Sequence, residues 1–231
     1  MSGDGASLLL FSPSGVVAQK ALLRRADKRL AALGFEVRID DSALARDERF
    51  AGDDETRLAA IHRAAASGAS IAMATRGGYG LTRLLDRIDW KKVARSVDRG
   101  TRWVGHSDFT VFQLAALAHG NTRTWAGPMA CFDFGRMAEE HGERRVEAVD
   151  EVTAACLVEA MDGSLEAVGF RTDPGFEGLD VKGKTVVVLD SGQLLVRAPG
   201  GLPVALDAEP LTEAIALAGL EGEDRHVQLY V

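Results

Sequence analysis

The sequence has few of the residues that mark disulfide-rich, nucleic-acid-binding or membrane-surface proteins. It contains only two cysteines among 231 residues, Cys131 and Cys156, and neither belongs to a CxxC pair. Two cysteines are too few for a disulfide framework, so both are expected to be small, buried, apolar residues. The 27 basic residues are outnumbered by 34 acidic ones, and the net charge of −7 argues against binding to nucleic acid or to an anionic membrane.

Long hydrophobic runs are also absent. No stretch approaches the roughly 18 apolar residues that cross a bilayer, and no basic segment precedes the short apolar run at 8–11. The sequence therefore predicts a cytoplasmic protein without a signal peptide. What is present is the composition of an ordinary globular protein, with 46% hydrophobic and 26% charged residues.

The first 130 residues alternate short apolar runs with helical patterns. Strands are expected at 7–11, 35–39, 70–74 and 102–105, and helices at 17–33, 53–68, 81–97 and 109–119. Alternation through such short connections is typical of a parallel sheet that is covered by helices on both faces. The sequence thus predicts an α/β, flavodoxin-like domain whose functional loops gather at the carboxyl ends of the strands.

The pattern of the remaining chain indicates a second, smaller region. The expected elements are a helix over 144–161, a strand over 165–170, a turn-rich boundary over 172–183, strands over 185–190, 193–198 and 226–231, and a helix over 209–218. We therefore predict an N-terminal α/β domain over residues 1–171. A reduced C-terminal domain of α+β or mostly β structure is predicted over 172–231.

Residues 105–110 (GHSDFT) join an apolar strand to an apolar helix. On so tight a turn, Ser107 would project its hydroxyl above the sheet, and the amide of Asp108 would be available to an oxyanion at the helix N-terminus. The strict G-x-S-x-G pattern of a nucleophile elbow is not met, because position 109 is Phe. A simple helix cap at Ser107 or Asp108 is the alternative interpretation.

A glycine-rich loop at 76–80 (RGGYG) follows the third expected strand. Glycines let a ligand approach the backbone closely and turn amides outward, so this loop is a candidate for a second oxyanion donor. A plain tight turn with glycines at positive φ is the alternative.

Nucleotide and metal sites are not expected. Residues 178–185 (GLDVKGKT) match the phosphate-loop pattern, but that loop needs a helix beginning near Lys184, and a strand-like run follows instead. No two of the five histidines have metal-ligand spacing with a third ligand nearby. We therefore predict no metal and no cofactor.

Several segments together resemble the LD-carboxypeptidase family of serine peptidases, which includes the muramoyltetrapeptide carboxypeptidases and the microcin C self-immunity proteins. The matching segments are 12–15 (SPSG), 49–57 (RFAGDDETR), 76–80 (RGGYG), 83–85 (RLL), 105–110 (GHSDFT) and 127–129 (GPM). Their order and spacing fit the family, and the resemblance extends over about residues 5–183.

The resemblance implies a nucleophile at Ser107 and an oxyanion hole formed by the amides of Asp108 and Gly78. Gly77 and Tyr79 would lie beside them in substrate binding. It also implies hydrolysis, without metal or cofactor, of the bond between an L-diamino acid and a terminal D-alanine in murein tetrapeptides. Such a reaction belongs to peptidoglycan recycling in the cytoplasm, and the family often forms dimers.

The sequence departs from the family in its C-terminal region. The family carries the Glu and His of its catalytic triad there, but neither motif is found after residue 183. His226, oriented by Asp190 or Glu209, is the only base that the tail offers. Since a serine hydroxyl is a weak nucleophile without a base, two hypotheses remain: an LD-carboxypeptidase-like hydrolase, or a non-catalytic module that binds a small peptide.

Overall fold

The chain folds as two compact units, Met1–Val168 and Gly169–Val231. The structure is a computed structural model that describes residues 5–141, 144–146, 148–165, 185–188, 193–197, 204–207 and 229–230. The predicted boundary between residues 171 and 172 stays a prediction, because residues 166–184 lie outside the described ranges.

A five-stranded parallel sheet forms the centre of the larger unit. Its strands are β1 (Ser7–Phe11), β2 (Glu36–Ile39), β3 (Ile71–Ala74), β4 (Arg102–Gly105) and β5 (Trp125–Ala126). They lie in the order β2-β1-β3-β4-β5, which is the flavodoxin-like order. The predicted α/β class is therefore confirmed, and the first four strands lie within one residue of their predicted bounds.

Side chains of β1 alternate between two hydrophobic clusters, one on each face of the sheet. Leu8 and Leu10 belong to one cluster, and Leu9 and Phe11 belong to the other. The Phe11 ring packs edge-on against the fully buried Trp103, with 5.4 Å between the ring centroids. Because both faces of the sheet are buried at β1, the sequence of this strand is a continuous apolar run.

Five α-helices lie in the described part of the larger unit. They are α1 (Lys20–Ala32), α2 (Asp54–Ala66), α3 (Trp90–Asp98), α4 (Phe109–Gly120) and α5 (Glu151–Asp162). Three of them match the predicted helices closely. Among the described residues, no helix is both long enough and apolar enough to span a membrane.

The helix expected over 81–97 begins later than predicted. Two 3₁₀ turns, Leu81–Arg83 and Leu85–Arg87, precede α3. Asp89 starts the helix, because its carboxylate accepts a hydrogen bond from the Lys92 amide at 3.1 Å. This local cap ends the preceding turns and sets the start of α3.

The helix expected over 144–161 is also wrong at its start. Strands β6 (Glu139–His141) and β7 (Arg144–Val146) form an antiparallel hairpin in which His141 pairs with Arg144. The carboxylate of Asp150 then accepts the Thr153 amide at 2.7 Å and caps α5. Residues 144–146, which were predicted to be helical, therefore belong to the hairpin.

The smaller unit contains a four-stranded sheet in the order β10-β9-β8-β11. The strands are β8 (Thr185–Val188), β9 (Gln193–Arg197), β10 (Val204–Asp207) and β11 (Leu229–Tyr230). The prediction missed β10, a four-residue run between Pro203 and Pro210. Since β8 is a strand, the phosphate-loop match at 178–185 lacks the helix that such a loop requires.

Several predicted elements lie outside the described residues. They are most of the strand at 165–170, the boundary at 172–183 and the helix at 209–218, together with the candidate triad residues Asp190, Glu209 and His226.

Candidate active site

Ser107 lies on a sharp turn between the end of β4 and the start of α4. Its φ is +58°, in the left-handed region that residues other than glycine rarely adopt. The His106 carbonyl accepts from the Phe109 amide at 3.1 Å, and the Ser107 carbonyl accepts from the Thr110 amide at 2.9 Å. Ser107 is exposed, and an exposed serine on a strained strand-to-helix turn is the arrangement of a nucleophile elbow.

Phe109 explains why the elbow differs from the strict glycine pattern. Its ring fills the space beside Gly105, where an added Cβ would lie 2.7 Å from the ring. Phe109 is fully buried and stacks on Phe112 at 4.8 Å between centroids. The aromatic residue therefore anchors the start of α4, and the glycine at 105 makes room for it.

The helix-cap alternative for this turn is not supported. The Asp108 side chain makes no capping bond to α4. Its Oδ2 instead accepts a hydrogen bond from the amide of Leu81 at 3.3 Å. The carboxylate after the serine therefore links the elbow to the loop that follows β3.

The glycine-rich loop packs directly against Ser107. An added Cβ on Gly77 would lie 2.9 Å from the Ser107 Oγ and 3.2 Å from the Asp108 nitrogen. Gly78 has a φ of +117°, which favours glycine. The predicted proximity of these two loops follows from the sheet order, because β3 and β4 are neighbours.

The loop after β1 supports the glycine-rich loop from its other side. The Gly15 amide donates to the Gly77 carbonyl at 3.1 Å, and the Arg76 Nη1 donates to the Val16 carbonyl at 3.1 Å. An added Cβ on Gly78 would lie 3.3 Å from the Gly15 Cα. The three loops that were expected at one edge of the sheet therefore meet there.

Both amides assigned to the oxyanion hole are unengaged within the part of the chain that the structure describes. Neither the Asp108 amide nor the Gly78 amide donates a hydrogen bond to another described residue. The Asp108 amide also lies at the N-terminus of α4, where the helix dipole favours negative charge. Tyr79 is 55% exposed beside them. Their role in holding an oxyanion stays a prediction.

Residues 76–80 are called the glycine side of Ser107, and the residue before the serine, His106, is called its histidine side. The His106 Nε2 lies 3.4 Å from Oδ2 of Asp133, and the same oxygen accepts from the Met129 amide at 2.7 Å. The imidazole packs edge-on against the exposed ring of Phe132. In the ranges that the structure covers, no imidazole nitrogen is hydrogen-bonded to the Ser107 hydroxyl, so the base at His226 stays a prediction.

His62 and the two cysteines lie in the scaffold and form no hydrogen bond with Ser107 among the described residues. His62 Nε2 accepts from the Asp89 amide at 3.0 Å, and burial lowers the pKa of His62. Burial raises the pKa of Cys131 to about 12, which keeps its thiol protonated. Cys156 is only half-buried, so the expected burial holds for Cys131 alone. No cluster of three or more metal-ligating side chains occurs among the described residues.

Two residues of this region were not singled out from the sequence. Arg57 is fully buried under the loops, and Asp133 holds His106. Arg57 ends the segment 49–57, so its position in that segment was the available signal. Asp133 has no local signal, because its partner lies 27 positions away in the chain.

Residues 9–127, slightly more than half of the chain, match the family model of the LD-carboxypeptidase N-terminal domain. The chain belongs to the LD-carboxypeptidase family. The resemblance that was inferred from the sequence segments is therefore confirmed. The members of this family are serine carboxypeptidases. The matched residues run from the third residue of β1 to just after the end of β5 and contain all three loops around Ser107.

Individual members of the LD-carboxypeptidase family agree with this assignment. A carboxypeptidase homologue from Streptomyces coelicolor is 31% identical over 144 residues, which are 59% of this chain and 46% of the homologue. The muramoyltetrapeptide carboxypeptidase from Oxalobacter formigenes is 33% identical with a TM-score of 0.60, and the match covers 79% of this chain and 56% of that one. The chain thus spans about half the length of these relatives.

The microcin self-immunity protein MccF shares the fold. Its structure with aspartyl sulfamoyl adenosine is 18% identical, with a TM-score of 0.59, and the match covers 88% of this chain and 55% of MccF. The fold of the family therefore also serves ligands other than murein peptides.

Proposed function

We propose that this chain is a serine peptidase that hydrolyses the bond between an L-diamino acid and the terminal D-alanine of murein tetrapeptides. The observation that carries the proposal is the exposed Ser107 at a φ of +58°, in contact with Gly77 of the neighbouring loop. The likeness to the muramoyltetrapeptide carboxypeptidase supports this class of substrate.

In the proposed reaction, the Ser107 hydroxyl attacks the carbonyl carbon of the scissile bond while a base removes its proton. The amides of Asp108 and Gly78 donate to the oxyanion of the tetrahedral intermediate. Collapse of this intermediate breaks the C–N bond, and the base returns the proton to the amine of the departing D-alanine. Water then hydrolyses the acyl-serine ester and releases the tripeptide.

The proton carrier is the part of the proposal that the tail must supply. We assign it to His226, oriented by Asp190 or Glu209, because no described histidine is bonded to the Ser107 hydroxyl. No metal or cofactor takes part in the proposed reaction. The proposal also includes a cytoplasmic location, a role in peptidoglycan recycling and a homodimer, as the family resemblance implies.

Release of D-alanine by the full chain tests the proposal. The chain is incubated with the tetrapeptide L-Ala-γ-D-Glu-meso-diaminopimelate-D-Ala, and free D-alanine is measured for the wild type and for Ser107→Ala. Loss of a catalytic serine leaves only the contribution of the oxyanion hole and of binding, so we expect a decrease of about 10³-fold or more. Equal release by the two proteins would overturn the assignment of Ser107.

Peptide binding separates the two hypotheses that the sequence left open. A binding module would bind the tetrapeptide saturably but release no D-alanine, because Ser107 would have no base. Calorimetric titration of the wild type with the tetrapeptide, run beside the release assay, distinguishes this outcome from a chain that does not recognise the peptide.

A further inference from the structure

Arg57 carries a full charge in a completely buried position beneath the loops of the candidate site. Its Nη1 donates to the Gly80 carbonyl at 3.0 Å and to the Pro13 carbonyl at 3.4 Å. Its Nη2 pairs with the carboxylate of Asp54. Burial of a charge is costly unless the charge is paired and hydrogen-bonded. These contacts offset that cost and hold the guanidinium in one position.

The bond to Gly80 reaches the elbow through a single peptide unit. The Gly80 carbonyl and the Leu81 amide belong to the same peptide group. The carbonyl accepts from Arg57 at 3.0 Å, and the amide donates to the Asp108 carboxylate at 3.3 Å. This peptide group is therefore held between a buried cation and the carboxylate of the residue that follows Ser107.

The surroundings of Gly80 fit this arrangement. Gly80 has a φ of +123°, and an added Cβ would lie 2.6 Å from the Arg57 Nη1 and 3.0 Å from the Phe50 ring. The Arg57 guanidinium lies 4.8 Å from the centroid of that ring. Only glycine brings the carbonyl this close to the guanidinium, because any side chain would push Arg57 or Phe50 away.

Arg57 also joins the loop after β1 to the glycine-rich loop after β3. Pro13 belongs to the loop after β1, and Gly80 belongs to the loop after β3. The Gly15 amide forms a second link between the same loops by donating to Gly77. Gly77 in turn contacts Ser107. Two links therefore lead from Arg57 to the elbow, one through the Gly80–Leu81 peptide group to the Asp108 carboxylate and one through the glycine-rich loop to the Ser107 side chain.

We propose that Arg57 is a positioning residue for the oxyanion hole. Through the Gly80–Leu81 peptide group, Arg57 holds Asp108 and the glycine-rich loop in place. The amides of Asp108 and Gly78 then keep a fixed separation near Ser107. The proposal rests on the function proposed above. Since an oxyanion forms only after attack, loss of this positioning should lower kcat and leave KM nearly unchanged.

Arg63 provides a matched control on the same helix. It also pairs with an aspartate, since its Nε and Nη2 donate to Asp40 at 2.7 Å. Unlike Arg57, its side chain is 44% exposed, and it makes no contact with the glycine-rich loop or with the elbow. Substitution of either arginine thus removes one paired charge from α2, but only Arg57 is connected to the candidate site.

The experiment measures kcat, KM and thermal unfolding of the full chain for Arg57→Lys, Arg57→Met, Arg63→Lys and Arg63→Met, with the tetrapeptide as substrate. We expect Arg57→Met to lower kcat by about 10- to 100-fold, with KM within about twofold. Arg57→Lys should recover part of kcat, because a lysine can still donate to Gly80. The two Arg63 variants should keep the wild-type kcat. If Arg57→Met does not fold, Asp108→Ala removes the acceptor of the Leu81 amide at the other end of the same peptide group and should also lower kcat selectively.

Hydrogen exchange of the full-length proteins gives a readout that needs no turnover. Arg57→Lys should speed amide exchange in the segments 76–81 and 105–111, whereas Arg63→Lys should leave both segments unchanged. Exchange in these segments that is equal for Arg57→Lys and Arg63→Lys would overturn the positioning role. If the two variants show the expected exchange pattern but the wild type releases no D-alanine, the proposed function alone would be overturned.

Discussion

The two sides of Ser107 are built in different ways. On the glycine side, residues 76–80 rest on the buried Arg57 and on backbone hydrogen bonds from the neighbouring loop. On the histidine side, a partly exposed His106 makes a single 3.4 Å contact with Asp133 and packs on an exposed aromatic ring. The larger unit therefore fixes the groups that would stabilise negative charge, while none of its described histidines is bonded to the nucleophile.

This difference separates electrostatic stabilisation from proton transfer. Stabilisation of an oxyanion depends on donors that are oriented before the reaction begins, and a rigid backbone provides such donors. Proton transfer depends on one side chain within hydrogen-bond reach of the serine. In the proposal, the Asp108 and Gly78 amides within the matched residues 9–127 meet the first requirement, and His226 meets the second.

Substitution of Gly78 by Ala should produce the largest effect on the glycine side. A side chain at a φ of +117° is strained, and the new Cβ would lie 3.3 Å from the Gly15 Cα, so the turn must shift. Displacement of one oxyanion donor typically costs about 10²- to 10³-fold in kcat. We expect a decrease of this size in D-alanine release.

Gly34→Ala is the control for backbone strain at Gly78. Gly34 has a φ of +98°, and an added Cβ would meet nothing within 4 Å. Both variants should lose about 1–2 kcal/mol of stability from the left-handed conformation, measured by urea unfolding. Only Gly78→Ala should lose activity, and an equal loss in Gly34→Ala would mean that the effect is one of stability.

His106→Gln should have a much smaller effect, because His106 is bonded to Asp133 and not to the Ser107 hydroxyl. The glutamine can keep a hydrogen bond to the carboxylate. We expect kcat/KM for D-alanine release to fall by less than about tenfold, well below the usual loss on removal of a catalytic base. A loss as large as that of Ser107→Ala would make His106 the base and would break the contrast between the two sides.

The smallest effect concerns the scaffold and its response to pH. Burial lowers the pKa of His62 in the folded state, and its Nε2 accepts a hydrogen bond that only the neutral imidazole can accept. The unfolded chain therefore binds the proton more readily. The stability contributed by neutral His62 is present above its unfolded pKa of about 6.5 and decreases as the pH falls below that value.

Urea unfolding at pH 7, 6 and 5 measures this dependence. His62→Gln keeps an acceptor for the Asp89 amide but cannot take up a proton, so the loss of stability between pH 7 and 5 should be smaller than in the wild type. An unchanged slope would show that His62 does not link folding to pH. The comparison also separates a pH effect on the scaffold from one on the histidine side of the site.

The central sheet could be predicted because its signals are local. Short apolar runs separated by amphipathic segments placed β1 to β4 within one residue, and the sheet order then brought the glycine-rich loop against Ser107. Strand β5 has only two residues, which is too short to show a period. The hairpin before α5 was missed because each of its two strands has only three residues, which is too short to show a period.

The supports of the candidate site were harder to predict than its loops. An arginine in an amphipathic helix normally faces solvent, and the burial of Arg57 depends on carbonyl groups from two distant loops. The contact between His106 and Asp133 likewise arises only when the chain after β5 returns to the edge of the sheet. Local patterns carry no information about such contacts.

A covalent adduct at Ser107 tests the central claim most directly. The full chain is treated with a serine-reactive phosphonate. In the adduct the phosphorus atom is tetrahedral, and one of its oxygens mimics the oxyanion. The adduct is located by peptide mass mapping. The account predicts a single adduct on the peptide that contains Ser107, no adduct in Ser107→Ala, and slower labelling in Gly78→Ala. An adduct elsewhere, or equal labelling of Ser107→Ala, would contradict the account.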